Sequence, residues 1–212
     1  VYTIEQMALD IVALMDHLKI PAAHLLGHSM GGRIAMSMTQ NFPGRVKSLI
    51  MAASGSGPAA RPGSDCIPGL PHRLVVDMVE MGFEKFVYHE TCETDTFFTK
   101  EYRERHRDKV EEFFKLSWAT HAKLPEFIHL CIARHNWEGT HRLGDVQAPT
   151  LVLIGEADTV GSNHMAQAKV LMERIPGAEM KVLKGQSHGF FWQAPEETNG
   201  VILDWVKKHS AA

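Results

Sequence analysis

The sequence predicts an α/β protein: a parallel sheet covered by helices and interrupted by a helical insertion. Three observations carry this. Outside the middle of the chain, segments of helical periodicity alternate with short apolar runs, the order that builds parallel sheets with crossover helices. The runs at residues 46–53 (VKSLIMAA) and 150–154 (TLVLI) are nearly continuous, as in strands buried on both faces. A Gly/Pro-rich stretch at residues 55–71 then separates this pattern from a long middle region with helical candidates only.

Each element has its own signal. Thr3 followed by Gln6 forms a capping box, and Met7, Ile11, Leu14 and Leu18 repeat on one helical face that stops before Pro21. Residues 24–26 form a short strand cut by Gly27. A helix over 31–42 ends at Pro43-Gly44, and the strand 46–53 follows. In the middle region helices are expected over 71–87, 100–122 and 125–135. After the strand 150–154 come a helix over 165–175 closed by Pro176-Gly177, a strand at 180–183, and a last helix over 196–208. The domain organisation that results is a core of residues 1–57 and 145–212 with a helical cap at 58–144.

Composition narrows the function classes. The 212 residues are 44% hydrophobic and 22% charged, enough for one sizeable core. A net charge of −3 without a long basic run argues against nucleic-acid binding. No apolar run approaches the roughly 20 residues of a membrane span, so no membrane partner is expected. Cys66, Cys92 and Cys131 are widely spaced and odd in number, which reads as free thiols in a reducing compartment. A cytoplasmic location is the expectation. None of the 13 histidines forms an H-E-x-x-H motif, and neither a metal nor an organic cofactor is expected.

The chemistry centres on Gly27-His28-Ser29-Met30-Gly31, a G-x-S-x-G run between a strand and a helix. A serine hydroxyl needs exposure, a neighbouring base and donors for an oxyanion. Glycines two before and two after Ser29 permit a tight turn that pushes the hydroxyl out of the sheet. The N–H of Met30 opens the next helix and is an oxyanion donor, and Gly32 lets that helix pack close to the sheet. The base belongs in a loop at the carboxyl end of a later strand, where His188 lies in GQSHGF. The acid belongs in the loop after residues 150–154. Asp158 fits, with Glu156 as rival, and its role is to hold the histidine's tautomer. Around these, His28, Trp118, Trp137 and Phe190 are candidates for substrate binding, with Phe113, Phe114, His121 and His135 also placed to face a cavity. Packing is the alternative for each aromatic.

GHSMGG, PTLVLIGEAD and GQSHGFFWQAPEE, in the order Ser29, Asp158, His188, resemble the elbow, acid loop and histidine loop of the α/β-hydrolase superfamily. The likeness is to the branch of esterases, lactonases and carbon–carbon hydrolases. It covers residues 1–57 and 145–210. It implies a three-layer α/β-hydrolase fold, with strands five to eight of that family's sheet present as a parallel half-sheet and a helical cap inserted. It implies a Ser29–His188–Asp158 triad, with Met30 as first oxyanion donor, acting on a small molecule, most simply a carboxylic ester or lactone. Carbon–carbon hydrolysis and a cofactor-free perhydrolase or haloperoxidase use the same triad, and a non-catalytic hydrolase-fold binding protein or an inactive fragment are further alternatives. A serine at the elbow argues against the haloalkane dehalogenases and epoxide hydrolases, which use a carboxylate there. The family's second oxyanion donor lies in a loop that has no counterpart within residues 1–212. The first strand is therefore expected to have an open apolar edge, to be completed by preceding residues or by self-association.

Overall fold

The computed structural model describes residues 2–58, 72–160 and 164–210. Four strands, β1 (Ala23–His28), β2 (Val46–Ala52), β3 (Thr150–Gly155) and β4 (Glu179–Leu183), form one sheet in the order β1-β2-β3-β4, every pair parallel. Crossover helices join them: α1 (Ile4–His17) precedes β1, α2 (Met30–Asn41) links β1 to β2, and α8 (His164–Arg174) links β3 to β4. The α1 start is the expected cap, with the Gln6 N–H donating to Thr3 Oγ1 at 3.0 Å.

Side-chain alternation explains why the strands read as continuous apolar runs. Leu49 and Met51 of β2, with Val152 and Ile154 of β3, pack in one core with residues of α2 and α8. Ile50 and Ala52, with Leu151 and Leu153, pack on the opposite face against Phe190 and Trp205. Those two come from the short helix α9 (Phe190–Gln193) and from α10 (Pro195–Lys208), which form the third layer. Both faces are covered, so no polar residue is needed at alternate positions. β1 differs. It pairs only with β2 among the described residues, and Leu26 is 43% exposed on it.

The middle region carries α3 (His72–Met81), α4 (Phe83–Tyr88), α5 (Lys100–Arg105), α6 (Arg107–Ala119) and α7 (Leu124–Asn136). Two helices expected to be continuous are broken. Gly82 takes a φ of +80° between α3 and α4, and His106, at φ −131°, separates α5 from α6. The α4 end runs on into a π turn, His89–Glu93. Most of the Gly/Pro-rich stretch, Cys66, Pro71 and the Gly161-Ser162 part of the loop after Asp158 lie outside the described residues. Cys92 and Cys131 are free thiols. Among the described residues no helix is long and apolar enough to cross a membrane.

Candidate active site

Ser29 stands at the junction of β1 and α2 with φ +54° and ψ −120°, a left-handed conformation that few residues other than glycine adopt. The surroundings hold it there. Its N–H donates to Ala52 O at 2.9 Å, and its carbonyl accepts from the Gly32 N–H at 3.1 Å and from Ser54 Oγ at 2.6 Å. The steric demand at the elbow falls on Gly27 and Gly32. A Cβ on Gly27 would lie 2.3 Å from Gly31 O, and one on Gly32 would lie 2.4 Å from Ser54 Cβ. Gly31, expected to be as necessary as Gly27, would meet nothing within 4 Å. Met30 is the first residue of α2, where backbone N–H groups lack intrahelical acceptors.

The acid and histidine loops lock onto each other backbone to backbone. Ala157 N–H donates to Gln186 O at 2.8 Å and Glu156 N–H to Leu183 O at 3.0 Å. A Cβ on Gly155 would sit 2.5 Å from Gln186 O, so only glycine permits this approach. The geometry separates the two rival acids. Asp158 is buried and its Oδ2 lies 2.9 Å from His188 Nδ1. Glu156 is exposed and its Oε2 accepts from the Gly185 N–H at 3.0 Å. The loop bearing His188 is clamped by the middle region: Ser187 Oγ and the Gly189 N–H both reach Phe97 O, at 2.6 and 2.7 Å.

Ser29, Met30 and His188 line one cavity of about 850 Å³. Among the described residues no hydrogen bond joins Ser29 Oγ to His188, and such bonds are commonly loose until substrate is bound. The opposite wall comes from the middle region, with Phe86, Phe97, His121, Phe127 and His135. Two of the eight cavity candidates, His121 and His135, are therefore where they were expected. The other six are not among the lining residues. Phe190 is fully buried in the core under the sheet, and Trp137 is buried in the core on the other side. Trp118 stacks on Phe114, with ring centroids 5.9 Å apart, and Phe113 packs against Phe97 and Trp192. His28 lies behind His188. Its Nε2 contacts His188 O at 3.0 Å and its ring packs 4.6 Å from the imidazole. It supports the histidine and does not touch the cavity.

Electrostatics follow from burial. Burial pushes the Asp158 carboxyl upward, but its contacts with His164 and His188 outweigh this and hold it well below the usual carboxylate range. His188 is lowered by burial, against the pull of Asp158. His28 is lowered to about 4 by burial and by His188, so it is neutral and its Nε2–H donates to the His188 carbonyl. Three participants were not foreseen: His164, whose Nδ1 lies 2.9 Å from Asp158 Oδ1, Ser54 beneath the elbow, and Arg33, a buried cation on the cavity wall. Donor atoms of Asp158, His164 and His188 all lie within 4.8 Å of one another.

A family model described as alpha/beta hydrolase fold matches residues 1–195. A Paraburkholderia phymatum protein named 2-hydroxy-6-oxononadienedioate/2-hydroxy-6-oxononatrienedioate hydrolase is 26% identical over 201 residues, covering 91% of this chain and 65% of its own length. An Escherichia coli protein of the same name is 25% identical over 204 residues, covering 92% of this chain and 66% of its own. The chain thus spans about two thirds of the length of these curated relatives. A solved structure described as an N-acyl homoserine lactone degrading enzyme is 27% identical, with a TM-score of 0.76 over 97% of this chain and 76% of that one. The enol-lactonase from Burkholderia xenovorans, at 24% identity, shares the fold with a TM-score of 0.77 over 97% of this chain and 74% of its own.

Proposed function

The chain belongs to the α/β-hydrolase fold family, and from that premise we propose that it is the catalytic part of a serine hydrolase acting on a small carboxylic ester or lactone. One observation carries the reading: buried Asp158 orients His188 at the wall of the same cavity that Ser29 lines from its strained elbow. In this reading His188 Nε2 takes the Ser29 proton as Oγ attacks a carbonyl carbon. Asp158 keeps the proton of His188 on Nδ1 and stabilises the imidazolium. The Met30 N–H, at the positive end of α2, donates to the oxyanion as it forms. His188 returns the proton to the leaving oxygen, an acyl-enzyme remains on Ser29, and water activated by His188 releases the acid.

Residues 58–144 act as the cap, since the wall facing Ser29 comes from within them. The similarity to an N-acyl homoserine lactone degrading enzyme favours the lactone. The names of the curated relatives favour a second reading, hydrolysis of a carbon–carbon bond in a diketone-like acid on the same triad. The free thiols suit a cytoplasmic setting. The test is Ser29→Ala against the parent chain, with p-nitrophenyl acetate, a homoserine lactone and a vinylogous diketone as substrates, and with a fluorophosphonate probe. Turnover and labelling are expected to vanish together. Turnover that survives the substitution rejects the assignment, and the preferred substrate separates the two readings.

A further inference from the structure

The two oxygens of Asp158 have different partners. Oδ2 meets His188 Nδ1 at 2.9 Å, while Oδ1 accepts from the Val160 N–H at 3.0 Å and meets His164 Nδ1 at 2.9 Å. The reaction described above uses the first oxygen alone. His164 is 7% exposed, and its ring lies nearly parallel to that of His188, centroids 5.4 Å apart and planes inclined by 20°. A nitrogen lone pair facing a carboxylate oxygen at 2.9 Å would be repelled, so Nδ1 of His164 carries a proton. Among the described residues that N–H meets no acceptor in hydrogen-bond alignment, so its short contact with Oδ1 is electrostatic. A buried donor so poorly served carries a free-energy cost, and such costs concentrate at functional sites.

We propose that His164 is a positioning residue of this site: it holds Asp158 Oδ1 so that Oδ2 stays turned to His188, and it shares the carboxylate's charge, tempering the pull of Asp158 on the catalytic ring. The proposal rests on the triad reading above. Charged and titratable groups face the cluster from several elements. His28 comes from the end of β1, Asp158 from the loop after β3, His164 from α8 and Arg134 from α7. His164 is the member of this set whose ring nitrogen lies 2.9 Å from the other side of the acid, at Oδ1.

Two substitutions isolate the effect. His164→Phe keeps a ring and removes the N–H, whereas His164→Asn keeps an N–H donor at the position of Nδ1 without an ionisable ring. The midpoint of His188 is read by imidazole NMR titration of the 212-residue chain, and the pH profile of kcat/KM is measured with p-nitrophenyl acetate. His164→Phe is expected to raise the His188 midpoint and the acid limb of the profile by about 0.5 pH unit or more. Plateau kcat should fall roughly fivefold at unchanged KM, since orientation and not binding is lost. His164→Asn should restore at least half of each change. A folded His164→Phe variant with an unmoved midpoint overturns the proposal, and so does an Asn variant that titrates as the Phe variant does. If His164→Phe does not fold, His164→Gln, whose amide reaches the Nε2 position instead, replaces it with the same expectations. The NMR midpoint needs no substrate, so a chain that titrates as expected but hydrolyses nothing counts against the serine-hydrolase reading and not against this one.

Discussion

The G-x-S-x-G pattern treats its two glycines alike, and the structure gives them opposite roles. A Cβ on Gly27 would lie 2.3 Å from Gly31 O, 2.5 Å from Gly31 C and 2.5 Å from Gly32 Cα. All three are backbone atoms of the first turn of α2, so no flexible side chain can swing away. Gly27→Ala must instead push α2 from the end of β1. Overpacking in a core costs about 1–3 kcal/mol where side chains can shift, and about 3 kcal/mol or more is expected where only backbone can. A Cβ on Gly31 meets nothing within 4 Å. Gly31→Ala therefore brings only the helical preference of alanine, up to about 1 kcal/mol in the stabilising direction. For a chain of this size the first change corresponds to a Tm drop of roughly 6–12 °C and the second to a rise of about 0–4 °C. Thermal melts followed by tryptophan fluorescence measure both, and fluorophosphonate labelling of Ser29 reports the elbow. Labelling should be lost in Gly27→Ala and retained in Gly31→Ala. Equal melting temperatures for the two variants would refute the steric reasoning.

Other perturbations test the remaining links. Asp158→Asn removes the acceptor that fixes the His188 tautomer, and kcat should fall about 10³–10⁴-fold with little change in KM; a loss under tenfold contradicts the proposed role. Acid should weaken the fold, because His28 sits at about 4 and His188 is also lowered, whereas an unfolded histidine titrates near 6.5. Unfolding then takes up protons below that value, so stability is unaffected above it and is lost as pH falls from 6.5 toward 4. His28 alone accounts for about 3 kcal/mol at roughly 1.4 kcal/mol per pH unit. Urea midpoints that stay level between neutral pH and the lower end of that window would exclude this account. The acid limb of kcat/KM should likewise fall below 6.5, because burial keeps His188 in its basic form there. Finally, β1 has one unpaired edge among the described residues, and Leu26 is 43% exposed on it. Light scattering should find residues 1–212 associating at high concentration and Leu26→Lys less so; a monodisperse monomeric parent would remove the basis for this expectation.

The core elements were legible because each had a local cause. Thr3 caps α1, Pro43 and Pro176 stop helices, and burial on both faces left β2 and β3 as continuous apolar runs. The break at Gly82 was less legible, since a glycine inside a periodic segment can remain helical, and here it takes φ +80°. His106 offered no signal at all. Aromatic residues misled in a consistent way. Trp118, Trp137, Phe113 and Phe190 sit where an amphipathic pattern puts apolar groups, but whether that face meets a cavity or a core depends on how helices dock. Trp137 and Phe190 met cores on opposite sides of the sheet.

The site divides along the same line. A parallel sheet sends the carboxyl ends of all its strands to one edge, so residues just after β1, β3 and β4 must converge there whatever the helices do. Ser29, Asp158 and His188 each follow a strand, and chain order with loop position was enough to place them. His164, Arg33 and Phe97 reach the site from α8, α2 and the segment between α4 and α5. No strand end constrains those residues. His164 meets Asp158 only because α8 begins beside the acid loop, and the five intervening residues of the sequence do not encode that approach. The groups that perform the proposed chemistry are thus prescribed by sheet topology. The groups that tune it and shape the substrate's surroundings are set by helix docking, and it is substitutions at these positions that should alter pH response and selectivity while leaving the triad in place.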